Sequence, residues 1–171
     1  CECKNLIYKE DLQKNLNCCP KCGAHHKLTC SERFETFFDN KEFNLIETPL
    51  PKDDPINFID KKKYTDRLKL ARKITGQDDA VAISSGKVKN ITVTVGAQDF
   101  RFIGGSFGAA SGEAFIHGIQ HAIDNKNPFI FFSCSGGQRM MESAIALMQM
   151  SRTVLAVNEL KKHNLPYIVV L

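Results

Sequence analysis

Apolar and polar positions first take on a regular spacing at Thr29. Thr29 and Glu32 have the spacing of a capping box, and Phe34, Phe37 and Phe38 follow at helical intervals, predicting a short helix that ends near Asn40. Pro49, Pro51 and Pro55 then interrupt residues 47–60, which read as irregular. A second helix is predicted over 61–75, with a buried stripe of Tyr64, Leu68, Ala71 and Ile74 and a stop at Gly76. From Asp79 the period changes to two. Residues 80–84 and 88–95 read as a hairpin around Ser85-Gly86-Lys87, and 98–103 as a further strand. Beyond Gly104-Gly105-Ser106-Phe107-Gly108, one helix face collects Ala110, Ala114, Phe115, Gly118, Ile119 and Ala122. Next come a buried strand at 129–133, a turn at Ser135-Gly136-Gly137, a helix with Met141, Ala144, Ile145 and Met148 inward, and a strand at 167–171. Strand, glycine turn and helix, given twice, predict a wound α/β fold with both turns at one sheet edge.

Composition narrows the class without naming a partner. The 171 residues are 43% hydrophobic and 25% charged, which excludes disordered, collagen-like and disulfide-miniprotein chains. A net charge of +4 is far from the clustered excess of a dedicated nucleic-acid binder. No apolar run nears the roughly 20 residues of a membrane helix. No export signal opens the chain, so a reducing intracellular setting is expected. The opening Cys1-Glu2-Cys3 and the apolar run at the other end lead us to expect that both ends are cut.

Six of the seven cysteines, at positions 1, 3, 18, 19, 22 and 30, fall in the first thirty residues. In a reducing setting this concentration favours a metal site over disulfides. Cys19-Pro20-Lys21-Cys22-Gly23 reads as a zinc knuckle whose backbone N–H groups face sulfur. Cys3 stands where the other half-site belongs, with Cys1 as a stand-in for a ligand expected one residue earlier. His25 and His26 are an alternative source of a ligand, while Cys18 and Cys30 are expected as free thiols. A closed thiolate set would make the metal structural.

Glycine turns let a ligand approach main-chain N–H groups, which stabilise negative charge at a helix start. Gly104-Gly105-x-x-Gly108 fits neither a Walker A loop nor a dinucleotide fingerprint, and tight packing is an equal reading of each turn. Arg139 and Glu142 are expected to lock a helix start rather than to bind phosphate. Lys61-Lys62-Lys63 reads as a solvated helix start, and His117 with His121 as a pair lacking a third metal ligand. Arg101 could meet a phosphate or face solvent.

Several motifs occur in a fixed order: Cys19-Pro-Lys-Cys22, Tyr64-x-Asp66-Arg67-Leu68, Phe102-Ile103-Gly104-Gly105-Ser106-Phe107-Gly108, Ser135-Gly136-Gly137-Gln138-Arg139-Met140 and Leu147-Met148-Gln149-Met150. Together they resemble the β subunits of acetyl-coenzyme A carboxylase carboxyltransferase from bacteria and plastids, the bacterial ones more. The resemblance implies an incomplete crotonase-like ββα superhelix behind a four-cysteine zinc ribbon. It divides the chain into a ribbon at 1–28, a helical linker region at 29–78 and the transferase portion at 79–171. It implies transfer of a carboxyl group from carboxybiotin, held on a biotin carboxyl carrier protein, to acetyl-CoA, giving malonyl-CoA for fatty acid synthesis. A carboxyltransferase α subunit in an α2β2 assembly, a biotin carboxylase and a cytoplasmic location are implied with it, as is the family's nucleotide and ATP binding. By the resemblance, Zn is held by Cys3, Cys19, Cys22 and Cys1. Gly136 and Gly137 supply oxyanion-hole amides, and Gly104, Gly105, Ser106 and Arg101 shape the acyl-CoA pocket. Cys134, Gln138, Met141 and Ser143 depart from the family pattern around the proposed oxyanion turn. Two other readings stay open: a carboxyltransferase acting on propionyl-CoA, and a zinc-ribbon module binding nucleic acid or protein. Against the latter, residues 1–75 hold 15 basic and 12 acidic residues, a weak excess.

Overall fold

The structure, a computed structural model, describes residues 3–171. Its frame is one five-stranded mixed sheet. Strands β1 (Phe43–Ile46), β2 (Val81–Val88) and β3 (Ile91–Gln98) run antiparallel in sequence, and β4 (Phe129–Phe132) and β5 (Tyr167–Val170) continue parallel beyond β3. The parallel pairs require crossovers. Helix α4 (Ala109–Asp124) links β3 to β4, and α5 (Ala144–Lys162) links β4 to β5.

Period-two alternation along the strands gives the sheet two cores, one on each face. Val93, Val95 and Ala97 pack with Phe34 and Phe38, so α2 (Cys30–Phe37) and the Phe38 that follows it cover one face. On the other face Val81, Ile83, Phe129 and Phe131 meet Phe115, Ile119 and Leu160 of α4 and α5. Phe115 sits edge-on to both Phe129 and Phe131, at 5.4 and 5.1 Å between ring centres. Helix α3 (Tyr64–Thr75) buries Tyr64, Leu68 and Ala71 against Phe102 and Met141 and ends on Gly76 at φ +69°. In the cysteine-rich segment, α1 (Lys9–Lys14) precedes the knuckle.

The expected wound α/β arrangement is present, with local differences. The hairpin turns at Lys89-Asn90, both at positive φ, rather than at residues 85–87. Gly86 instead lies within β2, where a Cβ would overlap the Phe38 ring. Chain after Gln98 turns away instead of forming a strand over 98–103, since Asp99 caps a tight turn through Arg101 N–H. Strand β1, unassigned in the sequence, adds an edge to β2. The predicted stripes also shift. Ile74 is 56% exposed. Ser143, at φ +50°, delays the start of α5 to Ala144, so Ala146 and Gln149 face inward while Ala144 and Met148 face out.

Candidate functional site

The cysteine knuckle has the geometry of a metal clip. The Sγ atoms of Cys3, Cys19 and Cys22 all lie within 4.8 Å of one another, and Cys3 and Cys19 are 3.9 Å apart. Four thiolates around Zn at about 2.3 Å are spaced about 3.8 Å apart, so these sulfurs fit zinc. Backbone N–H groups of Lys21 and Cys22 each donate to Cys19 Sγ at 3.4 Å, as the knuckle reading requires. Hydrogen bonds from Asn5 lower the Cys3 thiol to about 6, which favours its thiolate. Cys1 lies outside the described residues. His25 does not join this group; its Nδ1 lies 3.2 Å from Cys18 Sγ instead.

The two glycine turns meet directly. Gly136 N–H donates to Gly104 O at 2.9 Å, Phe107 N–H to Gly137 O at 2.8 Å, and Arg139 N–H to Phe107 O at 2.9 Å, closing a short parallel bridge between Phe107 and Gln138. Gly105 stands at φ +64° with no room for a Cβ, which would overlap the Cys134 carbonyl oxygen. Ser135, Gly136, Gly137 and Gln138 are exposed. The amides expected to be open both have partners here: Gly136 binds the neighbouring turn, and Gly137 N–H donates to Ser135 Oγ at 3.0 Å. These partners differ in kind. A backbone carbonyl fixes Gly136, whereas rotation of one exposed serine side chain opens Gly137. On the first turn, Gly105 N–H and Ser106 N–H donate to Phe102 O and Ile103 O.

Beneath the turns lies a buried ionic network. The Arg139 side chain is inaccessible to solvent, and its terminal nitrogens bind both Asp79 oxygens at 2.6 and 2.7 Å. The same guanidinium donates to Ser106 O at 2.6 Å, Ser106 Oγ at 3.2 Å and Tyr64 Oη at 3.2 Å. All five of its N–H donors therefore have acceptors. Tyr64 donates to Glu142 Oε1 at 2.5 Å, and Glu142 Oε2 accepts the first N–H of α4, from Ala109, at 2.6 Å. Burial, reinforced by Glu142, pushes the Tyr64 hydroxyl far above its ordinary range, so it remains a donor. Burial acts to lower Arg139, but Asp79 outweighs it and keeps the guanidinium charged. The structural reading of Arg139 and Glu142 thus agrees with the geometry, although both precede α5. Sequence reasoning missed Asp79 and the Tyr64 hydroxyl. An acid directly before an apolar strand was the available signal.

Arg101 donates through Nε and one terminal nitrogen to buried Asp99, the latter at 2.6 Å, while its own side chain stays 46% exposed. His121 bonds Thr94 Oγ1 at 3.1 Å, and among the described residues neither it nor His117 belongs to a metal-ligand group.

A family model described as the carboxyl transferase domain matches residues 54–171, and one described as the acetyl-CoA carboxylase zinc finger domain matches residues 2–22. The chain belongs to the carboxyl transferase family. Among curated relatives, the acetyl-coenzyme A carboxylase carboxyl transferase subunit beta of Pelagibacter ubique is 53% identical over 169 residues, 99% of this chain and 55% of that protein. The proteins of the same name from Jannaschia and Brucella abortus are 45% and 44% identical, over 99% and 97% of this chain. The chain spans about half the length of the curated relatives it matches. In solved structures, transcarboxylase 12S aligns with a TM-score of 0.61 at 23% identity, over 78% of this chain and 24% of that one. A Pseudomonas malonate decarboxylase hetero-dimer aligns at 0.61 and 17%, over 84% and 52%. The matches agree with the crotonase-like fold that the sequence resembled, and in this chain a zinc-finger match lies ahead of the carboxyl transferase match. Nucleotide or ATP binding finds no support in these matches. No helix among the described residues is long and apolar enough to cross a membrane.

Proposed function

We propose that this chain is the carboxyl-accepting half-site of an acetyl-CoA carboxylase carboxyltransferase β subunit, forming malonyl-CoA from acetyl-CoA. The observation that carries the reading is the 53% identity, sustained over 169 residues, to the Pelagibacter protein of that name.

In this reading carboxybiotin, presented by a biotin carboxyl carrier protein, supplies the carboxyl group and the base that activates the acetyl methyl. The chain's own groups fit a reaction that brings its base with it. Asp79, Glu142 and Arg139, the ionisable groups under the turns, are buried and mutually paired, and none is open to accept a substrate proton. The chain's task is to orient the thioester and to hold charge on its oxygen. Gly137 N–H takes the oxyanion once Ser135 rotates away. Gly136, whose N–H donates to Gly104 O, keeps the two turns in register instead of donating to the oxyanion. Gly104, Gly105 and Ser106 form the facing wall, and Arg101 offers its free edge to an acceptor phosphate. Removing one such donor costs about 100- to 1,000-fold in kcat.

The ribbon at 1–28 is a zinc clip, with Cys3, Cys19 and Cys22 as ligands and Cys1 beside them in the sequence. Residues 29–78 join it to the transferase portion at 79–171. The partners are a carboxyltransferase α subunit, the carrier protein and a biotin carboxylase, in a bacterial cytoplasm. The test is malonyl-CoA formation by the full-length chain assembled with its α subunit and carboxylated carrier. Gly137→Val should abolish transfer while Ser135→Ala retains it, and propionyl-CoA should be the poorer acceptor. An assembled wild-type enzyme that carboxylates propionyl-CoA in preference to acetyl-CoA would move the assignment to the propionyl enzyme.

A further inference from the structure

Both glycine turns leave the sheet where β3 and β4 part, and one side chain stands at that point. The parallel ladder between the two strands runs from Thr94 with Phe129 to Ala97 with Phe132 and stops there. Beyond it the β3 backbone is drawn away, because Asp99 N–H donates to Ala80 O at 2.8 Å and Asp99 Oδ1 accepts the Arg101 N–H at 2.9 Å. Strand β4 still has an amide to satisfy on that side. Phe129 N–H and Ser133 N–H donate towards β5, to Pro166 O and Val170 O, so the alternation turns Cys134 N–H towards the place β3 has left.

Gln98 fills that place with its side chain. Its Oε1 accepts Cys134 N–H and Ser133 Oγ, each at 3.2 Å, and its Nε2 donates to Gly105 O at 3.2 Å. The Cys134 amide can only donate and the Gly105 carbonyl can only accept, so the side-chain amide has one orientation. Any neighbour could satisfy a buried amide, but here the donor and the acceptor are divided between the two turns. One group, 5% exposed, thus joins the root of the second turn to the first.

The segment 134–139 is tied downstream, where Phe107 N–H donates to Gly137 O and Arg139 N–H to Phe107 O. Gln98 ties it upstream. Between these attachments lie Ser135 and the Gly137 N–H that its hydroxyl covers. A cavity of about 260 Å³ opens beside them, and Gln98, Phe107, Ser133, Ser135 and Gly137 share its wall.

We infer that Gln98 is a positioning residue for carboxyl transfer, setting the spacing of the two glycine turns and with it the place of the Gly137 N–H. The inference rests on the proposed function and adds to it the group that aims the oxyanion donor. Its donor and acceptor are engaged by the turns, so Gln98 acts through Gly137 and not on substrate. The charge it serves develops towards the transition state, so its loss falls on kcat rather than on KM.

The test is malonyl-CoA formation at varied acetyl-CoA by the full-length chain assembled with its α subunit. Gln98→Met keeps the volume and removes donor and acceptor, whereas Gln98→Asn keeps the amide on a stem one methylene too short to hold both turns. Each should lower kcat about 10- to 100-fold while KM for acetyl-CoA stays within about two-fold. In hydrogen exchange, residues 133–139 should lose protection in both variants while 129–132 keep theirs. A purely structural role would instead lower Tm and leave kcat of the assembled enzyme within about two-fold, which would overturn the inference, as would a raised KM at unchanged kcat. Gln98→Asn decides if Gln98→Met fails to assemble, and failure of both marks a core residue and also overturns it. If the wild-type assembly forms no malonyl-CoA, the proposed function falls, while exchange across 133–139 still decides whether Gln98 holds the turns.

Discussion

Arg139 and Asp79 form a two-pronged ion pair with both side chains almost completely removed from solvent. Desolvating two charges is offset only when every donor and lone pair is placed, as it is here by Ser106, Tyr64 and Ser111. Breaking the pair leaves one buried charge alone. Asp79→Asn or Arg139→Met should cost about 3–5 kcal/mol of stability. Denaturant unfolding of the full-length chain checks this, and a loss below about 1 kcal/mol would show that water reaches the pair.

Adjacent glycines should respond differently to one methyl group. Gly104 and Gly105 both have φ near +65°, so alanine at either pays about 1–2 kcal/mol for the left-handed conformation. At Gly104 nothing lies within 4 Å of the new Cβ; at Gly105 it would strike the Cys134 carbonyl. Gly105→Ala should therefore separate the two turns and remove carboxyl transfer. Gly104→Ala should fold with a modestly lower Tm. Paired thermal melts and activity assays distinguish them.

Cys30 should be the unreactive thiol. It is 1% exposed, donates to Ala97 O at 3.1 Å, and is pushed up to about 12 by burial. At pH 8 iodoacetamide should label Cys134 and spare Cys30 until the chain unfolds, as mass spectrometry of peptides would show. Because its folded-state value lies above the ordinary 9.0, its contribution to stability is complete below pH 9 and is lost as pH rises toward 12.

The knuckle predicts a metal content. Purified full-length protein should carry a single zinc per chain, and Cys19→Ser should release it. Loss of metal should raise amide exchange in residues 3–28 while the sheet keeps its protection. Elemental analysis with hydrogen exchange reads both, and zinc-free protein with unchanged exchange in that segment would refute the clip.

Local chemistry was legible where a motif satisfies itself. Thr29 Oγ1 accepts from Glu32 N–H at 3.1 Å and Glu32 Oε2 accepts from Thr29 N–H at 2.9 Å, both as the capping-box spacing predicts. Gly76 and the Cys19 knuckle are of the same kind. Errors arose where a distant residue decides. Gly86 looked like a turn because its reason, the Phe38 ring, lies 48 positions earlier. Met148 looked buried because nothing in the helical period announces that Ser143 breaks the chain first. Both glycine turns were visible as turns, but that Gly136 N–H would be held by Gly104 O depends on two segments meeting across 32 residues.

The span of the contacts beneath the turns bears on how the site comes into being. Tyr64 and Glu142 are separated by 78 positions, and Asp79 and Arg139 by 60. Closing loops of that length costs entropy before any of these bonds forms, and the intervening strands must pair first. A chain emerging from the ribosome can close neither pair until Arg139 and Glu142 have followed Asp79 out, so every bond beneath the turns waits on the second turn's own segment.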